Sequence, residues 1–196
     1  MSHPGPLARE AILDTAEEVL RRFGPAKMTV LDVARALNVS HGTVYRHFPS
    51  KSALRDAVTQ RWLDRISAPL EDVAGRSNDP AGRLRAWVRL LAATKQGIAR
   101  DDPELFATFR RITNESGAVV GAHVDHLASQ LAAIVREGVA VGTFAPIDPD
   151  RAGRAVLQAT GLFHHPAHAE EWNDPRAAEH LEAVLDLLLD GLRPRR

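Results

Sequence analysis

Apolar positions recur every three or four residues along almost the whole chain, and strand-like alternation is nearly absent. A first stripe, Ile12, Ala16, Val19, Leu20 and Phe23, predicts a helix that stops at Gly24-Pro25. Thr29, with Asp32 three residues later, is a capping-box signal for a short second helix that buries Val30, Val33, Ala34 and Leu37. A tight turn at Asn38-Val39 leads to Ser40, the cap of a third short helix running through His47. Pro49-Ser50 closes that element, and Ser50 caps a long helix with Leu54, Val58, Trp62 and Ile66 in register.

Beyond this front segment one device recurs: Asp79-Pro80, Asp102-Pro103, Asp148-Pro149 and Asp174-Pro175 each place a capping carboxylate before a proline suited to a first helical turn. Stripes follow at helical spacing: Leu84, Trp87, Val88, Leu91 and Ile98; Leu105, Phe106, Phe109 and Ile112; Val120, Val124, Leu127, Leu131, Ile134 and Val135, ended near Gly142; Val156, Ala159, Leu162 and Phe163; Leu181, Val184, Leu185, Leu188 and Leu192. The expected fold is all-α with about nine helices. Its parts are an N-terminal three-helix helix-turn-helix DNA-binding domain over 1–48, a connecting helix over 49–74, and a helical ligand-binding and dimerisation domain over 75–196. The stretch Gly75 to Asn78 is the boundary candidate.

Composition changes this picture little. The 196 residues, 44% hydrophobic and 26% charged, suit a core-forming globular chain. The absence of cysteine excludes disulfides, thiolate metal sites and a cysteine nucleophile. Met1 to Arg9 holds no apolar run, and no stretch approaches the roughly 18 apolar residues of a membrane span, so a cytoplasmic protein with no membrane partner is expected. The zero net charge hides a split: residues 1–66 carry +3 and the remainder −3. A mildly basic front end suits a phosphate-facing module.

The chemistry concentrates between Thr29 and Phe48. A helix pair packed by Val33, Ala34, Leu37, Val39 and Val44 projects its second helix outward, ready for a major groove. The outward residues His41, Gly42, Thr43, Arg46 and His47 are donors or small groups, with no carboxylate among them. Gly42 weakens a helix but lets a surface approach closely. Tyr45 adds a hydroxyl, and Lys51 opens the next helix, where its charge and the free backbone N–H groups suit a phosphate.

The span 10–60 resembles the DNA-binding domain of the tetracycline-repressor family. The matching residues are Ile12, Ala16, Phe23-Gly24, Thr29, Val33-Ala34, Leu37, Val39-Ser40, Gly42-Thr43-Val44-Tyr45, His47-Phe48, Ser50-Lys51 and Leu54. The resemblance implies phosphate contacts from Thr29, Thr43, Tyr45 and Lys51, with His41, Gly42 and Arg46 at base edges or the groove wall. Ser40 and His47 complete the expected DNA-binding set. It further implies a homodimer on a palindromic operator, acting as a repressor released by a small molecule, with no required cofactor.

In the body, Trp87, Leu91, Phe106, Phe109, His126, Phe163 and Trp172 are either core packing or the lining of a small-molecule pocket. Six of the nine histidines fall between 123 and 180. If the helices flanking a turn near Ala145 pair antiparallel, His123 lies level with His168 and His126 with His165, because each pair has the same sum of residue numbers. Those four then form either a zinc, nickel or iron site or polar pocket lining. Val156, Leu181, Leu185 and Leu188 offer either a four-helix dimer seam or ordinary core, with Gly153, Ala159 and Gly161 allowing close helix approach. A metal-containing helical protein, a sensor or an enzyme using the histidines, is the alternative to a DNA-binding regulator. The enzyme reading lacks HExxH, a serine elbow or a glycine-rich phosphate loop.

Overall fold

A computed structural model describes residues 9–24, 29–76 and 79–194. Pro25 of the expected first terminator and Ser77-Asn78 of the expected boundary lie outside the described residues. Among those described there are nine α-helices and no strand: α1 (Arg9–Phe23), α2 (Val30–Ala36), α3 (His41–Tyr45), α4 (Lys51–Ala74), α5 (Pro80–Asp101), α6 (Pro103–Glu115), α7 (Gly117–Ala140), α8 (Pro149–Ala159) and α9 (Ala177–Leu192). Short 3-10 turns at Gly161–Phe163, Pro166–His168 and Glu171–Asn173 join the last two helices.

The chain divides into two compact units, one of Met1–Leu63 with Asp102–Gly121, the other of Asp64–Asp101 with Ala122–Arg196. The division falls inside α4, and α6 groups with the N-terminal helices.

The first unit is built on Ile12, Leu13, Ala16 and Leu20 of α1, Val30, Val33 and Ala34 of α2, Val44, Phe48, and Leu54 and Val58 of α4, all buried. Phe23 leaves the expected stripe and is 57% exposed. Arg61 of α4 reaches Glu10, Asp14 and Glu17 of α1, and Trp62 stacks on Phe109 of α6 with ring centroids 4.3 Å apart. Arg55 bridges to Glu115 at 2.8 Å and to the Ser116 hydroxyl at 3.2 Å, joining the start of α4 to the end of α6.

In the second unit, Leu84, Trp87, Val88 and Leu91 of α5 and Leu127, Leu131, Ile134 and Val135 of α7 supply the core. By length and composition α7 is apolar enough to cross a membrane, yet its apolar face is spent on this core. The α7–α8 hairpin turns where expected, with Gly142 at φ +76° and the Phe144 N–H donating to Gly138. Gly153 lets α8 lie against α7: a Cβ there would fall 2.6 Å from the Ala132 nitrogen.

Three of the four Asp-Pro marks start helices. Asp79 accepts from Ala81 and Gly82 N–H, Asp102 from Leu105, and Asp148 from Asp150 and Arg151. The fourth forms a turn, Asp174 accepting from Arg176, and α9 begins only at Ala177.

Candidate nucleic-acid interface

The interface begins with the turn that ends α2. Asn38 takes φ 54°, the left-handed conformation that asparagine tolerates better than most residues. The Val39 N–H then bonds to Ala34 and the Asn38 N–H to Arg35, closing the helix in a Schellman pattern. Ahead of α2, Thr29 accepts from the Asp32 N–H at 3.1 Å and donates to the Asp32 carboxylate at 2.5 Å. Ser40 starts α3 by accepting from the Thr43 N–H at 3.2 Å. Both short helices are thus fixed by caps, as such short segments must be.

Burial fixes the orientation of α3. Val44 and Phe48 enter the core, at 0% and 2% exposure, so the opposite face turns outward. His41, Gly42, Tyr45 and Arg46 are exposed, and Thr43 and His47 half-buried. Tyr45 meets the edge of His41, ring centroids 6.3 Å apart. Ser50 accepts from the Ala53 N–H at 3.0 Å and caps α4, leaving Lys51 exposed at its first residue. An ammonium at the positive end of a 24-residue helix favours an anion. The outward set therefore combines a cationic guanidinium, an ammonium, hydroxyls, imidazoles and one bare backbone position.

The second unit corrects the expected metal site. His123, His126, His165 and His168 do not converge, and the described residues contain no group of three His, Asp or Glu placed for a metal ion. The level argument fails because α8 ends at Ala159, before His165 and His168, which lie in and beside a 3-10 turn. His126 instead bonds Glu71 at 2.8 Å and Gln130 at 3.0 Å, His165 accepts from the Ala167 N–H, and His168 faces Glu171 at 3.3 Å.

Of the expected pocket residues, Phe163 and Trp172 line a cleft of about 190 Å³ with Leu162, Glu171, Asp174, Ala177 and His180. Trp87 and Leu91 are core residues at 0% exposure, Trp87 donating to Gln130 at 2.8 Å. Phe106 and Phe109 belong to the first unit, and His126 is exposed. The seam residues Val156, Leu181 and Leu185 are buried within their own chain, Leu188 is half-buried, and Leu187 is the exposed leucine of α9. Gly153 serves the α7–α8 contact inside the chain.

Sequence reasoning passed over Lys95. It continues the spacing of Leu84, Val88 and Leu91 and sits 7% exposed; a lysine within an apolar stripe was the signal. Burial pulls its pKa down to about 8. His123 and His164, 6% and 8% exposed, are lowered to about 3 and about 4, first by burial and then by the Lys95 charge.

An exposed, capped helix carrying donors, behind a short left-handed turn, defines a helix-turn-helix DNA-binding regulator. The comparisons agree. Residues 12–58 match the family described as bacterial regulatory proteins, tetR family, and residues 80–185 match the tetracyclin repressor-like C-terminal domain. The chain belongs to the TetR family of transcriptional regulators. It is 28% identical over 180 residues to an uncharacterized HTH-type transcriptional regulator of Mycobacterium tuberculosis, covering 91% of this chain and 86% of that one. It is also 28% identical over 207 residues to the HTH-type transcriptional regulator RutR of Escherichia coli K12, covering 95% and 91%. Its fold is similar to that of SmeT of Stenotrophomonas maltophilia in a triclosan complex, with TM-score 0.67, 20% identity, and coverage of 95% and 91%.

Proposed function

We propose that this regulator binds a palindromic operator in the cytoplasm as a homodimer, represses transcription, and leaves the DNA when a small molecule enters its second unit. The observation that carries the reading is the outward face of α3, which holds donors and no carboxylate and is oriented by the burial of Val44 and Phe48. On this reading Thr29, Thr43, Tyr45 and Lys51 contact phosphates. Ser40 and His47 flank them, while His41, Gly42 and Arg46 approach base edges or the groove wall. Release by a small molecule is supported by family membership and by SmeT, which has been captured with triclosan.

Selection of bound duplexes from a random-sequence pool, followed by gel shift, tests the proposal. A two-fold symmetric site is expected. Lys51→Ala should then weaken specific and nonspecific binding alike and reduce the slope of log K against log salt by about one. Tyr45→Phe should weaken both without changing the slope. A chain that selects no sequence, or a Lys51→Ala variant with wild-type affinity and slope, would contradict the assignment.

A further inference from the structure

Arg9, in the first turn of α1, stands on a different helix from the DNA-facing residues of α3 and α4, yet its guanidinium sits over the Phe48 ring, 4.9 Å from the centroid. Phe48 joins the two parts of the interface. It follows His47 directly, and its N–H donates to the Val44 carbonyl at 2.9 Å. Two residues on, Ser50 caps α4 and sets the place of Lys51. The Phe48 ring is buried, so it is held by the same packing that orients α3. A guanidinium seated on that ring therefore has a defined place close to His47 and Lys51.

The charges around Arg9 leave it able to take an anion. The carboxylates of α1 are committed to another helix: Glu10, Asp14 and Glu17 all pair with Arg61 of α4. Arg9 itself meets Glu10 at 4.0 Å, in a pair whose side chains are 55% and 68% exposed. A pair so open to water contributes little to stability and yields readily to a phosphate. Contact with a ring engages the guanidinium without using its N–H donors, which remain for an acceptor. We propose that Arg9 is a further DNA contact of this regulator, a clamp on one backbone phosphate that the Phe48 ring holds beside the end of α3. The planar fork of the guanidinium suits two oxygens of that phosphate. This inference rests on the reading that α3 faces DNA, and it extends that surface onto α1.

The test is fluorescence anisotropy of the full chain on the selected operator and on a scrambled duplex of the same length, from about 50 to 200 mM salt. Arg9→Gln removes the charge and keeps a residue that suits a helix. It should weaken binding to both duplexes by about three- to tenfold near 0.1 M salt, and lower the slope of log K against log salt by about one per protomer. Arg9→Lys keeps the charge without the fork, so it should hold the slope and lose less affinity. Circular dichroism and thermal melts accompany both variants. An Arg9→Gln chain that melts well below wild type would make Arg9 a structural residue of α1 and overturn the proposal. Unchanged affinity and slope in Arg9→Gln, a slope lost equally in Arg9→Lys, or a loss confined to the selected operator overturns it as well. Lys51→Ala, measured alongside, separates this from the interface reading. A slope lowered in Lys51→Ala and not in Arg9→Gln refutes Arg9 alone, whereas a wild-type chain that binds neither duplex refutes both.

Discussion

Gly42 shows how a single residue separates folding from recognition. A Cβ at this position would meet only the Ser40 hydroxyl, at 3.8 Å, so nothing inside the chain requires glycine there. Gly42→Ala should therefore keep or raise thermal stability, by about 0.5–1 kcal/mol on helix propensity. It should nonetheless weaken operator binding in anisotropy, because the added methyl projects from the exposed face of α3. Unchanged affinity would place the DNA surface farther from this backbone. The buried histidines make a second prediction at this scale, and its sign follows from their lowered pKa values. Between about 6.5 and the folded values of about 3 for His123 and about 4 for His164, the unfolded chain binds protons that the folded chain refuses. Stability is therefore retained above pH 6.5 and lost as pH falls, by on the order of 2 kcal/mol for each imidazole at pH 5. Denaturant melts at pH 7 and pH 5 check this: His123→Asn and His164→Asn should each lose less stability than wild type over that interval, and parallel losses would remove the two imidazoles as the cause.

Among the elements, the contact of α8 on α7 is the most demanding sterically. At Gly153 a Cβ would lie 2.6 Å from the Ala132 nitrogen and 2.8 Å from the Ala128 carbonyl oxygen, both of them backbone atoms that cannot swing aside. Gly153→Ala should cost about 1–3 kcal/mol, as overpacking does. Gly161→Ala, where a Cβ meets nothing within 4 Å, should stay within about 0.5 kcal/mol of wild type. Comparable melts for the two variants would show that the helices part easily. Helix starts were legible in the sequence wherever a side chain performs the capping, as Thr29, Ser40, Ser50, Asp102 and Asp148 do. The DNA-facing set was legible for the same reason, since caps and the burial of Val44 fix the orientation of α3 locally. The histidines were not, because the level argument needs α8 to continue and it ends at Ala159. The Thr160 hydroxyl there turns back to the Val156 carbonyl at 2.9 Å, and 3-10 turns follow. Which of several apolar faces turns inward is decided by tertiary packing, and periodicity alone placed Phe23 on a buried stripe that it leaves at 57% exposure.

At the scale of the whole molecule, the proposed dimer depends on how α9 divides its leucines. Leu181, Leu185 and Leu189 face the chain's own core at 6%, 0% and 6% exposure. On the adjoining flank, at helical spacing, lie Val184 and Leu188, half-buried, with Leu187 at 75% exposure and Gly191 also exposed. A helix apolar on two adjoining faces has more hydrophobic width than one monomer buries. The outer flank is thus the surface through which a second copy would pack, and Leu187 is the residue to test. Leu187→Glu should give a folded monomer with an unchanged far-ultraviolet spectrum, because its side chain contributes little to the chain's own core. Leu185→Glu should instead compromise folding, since it puts an unpaired carboxylate into a fully buried site. A two-fold operator requires two recognition helices about 34–36 Å apart, one per half-site, so a monomer loses the second contact. Light scattering should therefore report a dimer for the wild-type chain and a monomer for Leu187→Glu, with operator affinity falling steeply in the variant. A Leu187→Glu protein that remains dimeric and binds the operator as tightly as wild type would move the seam to another face of the molecule.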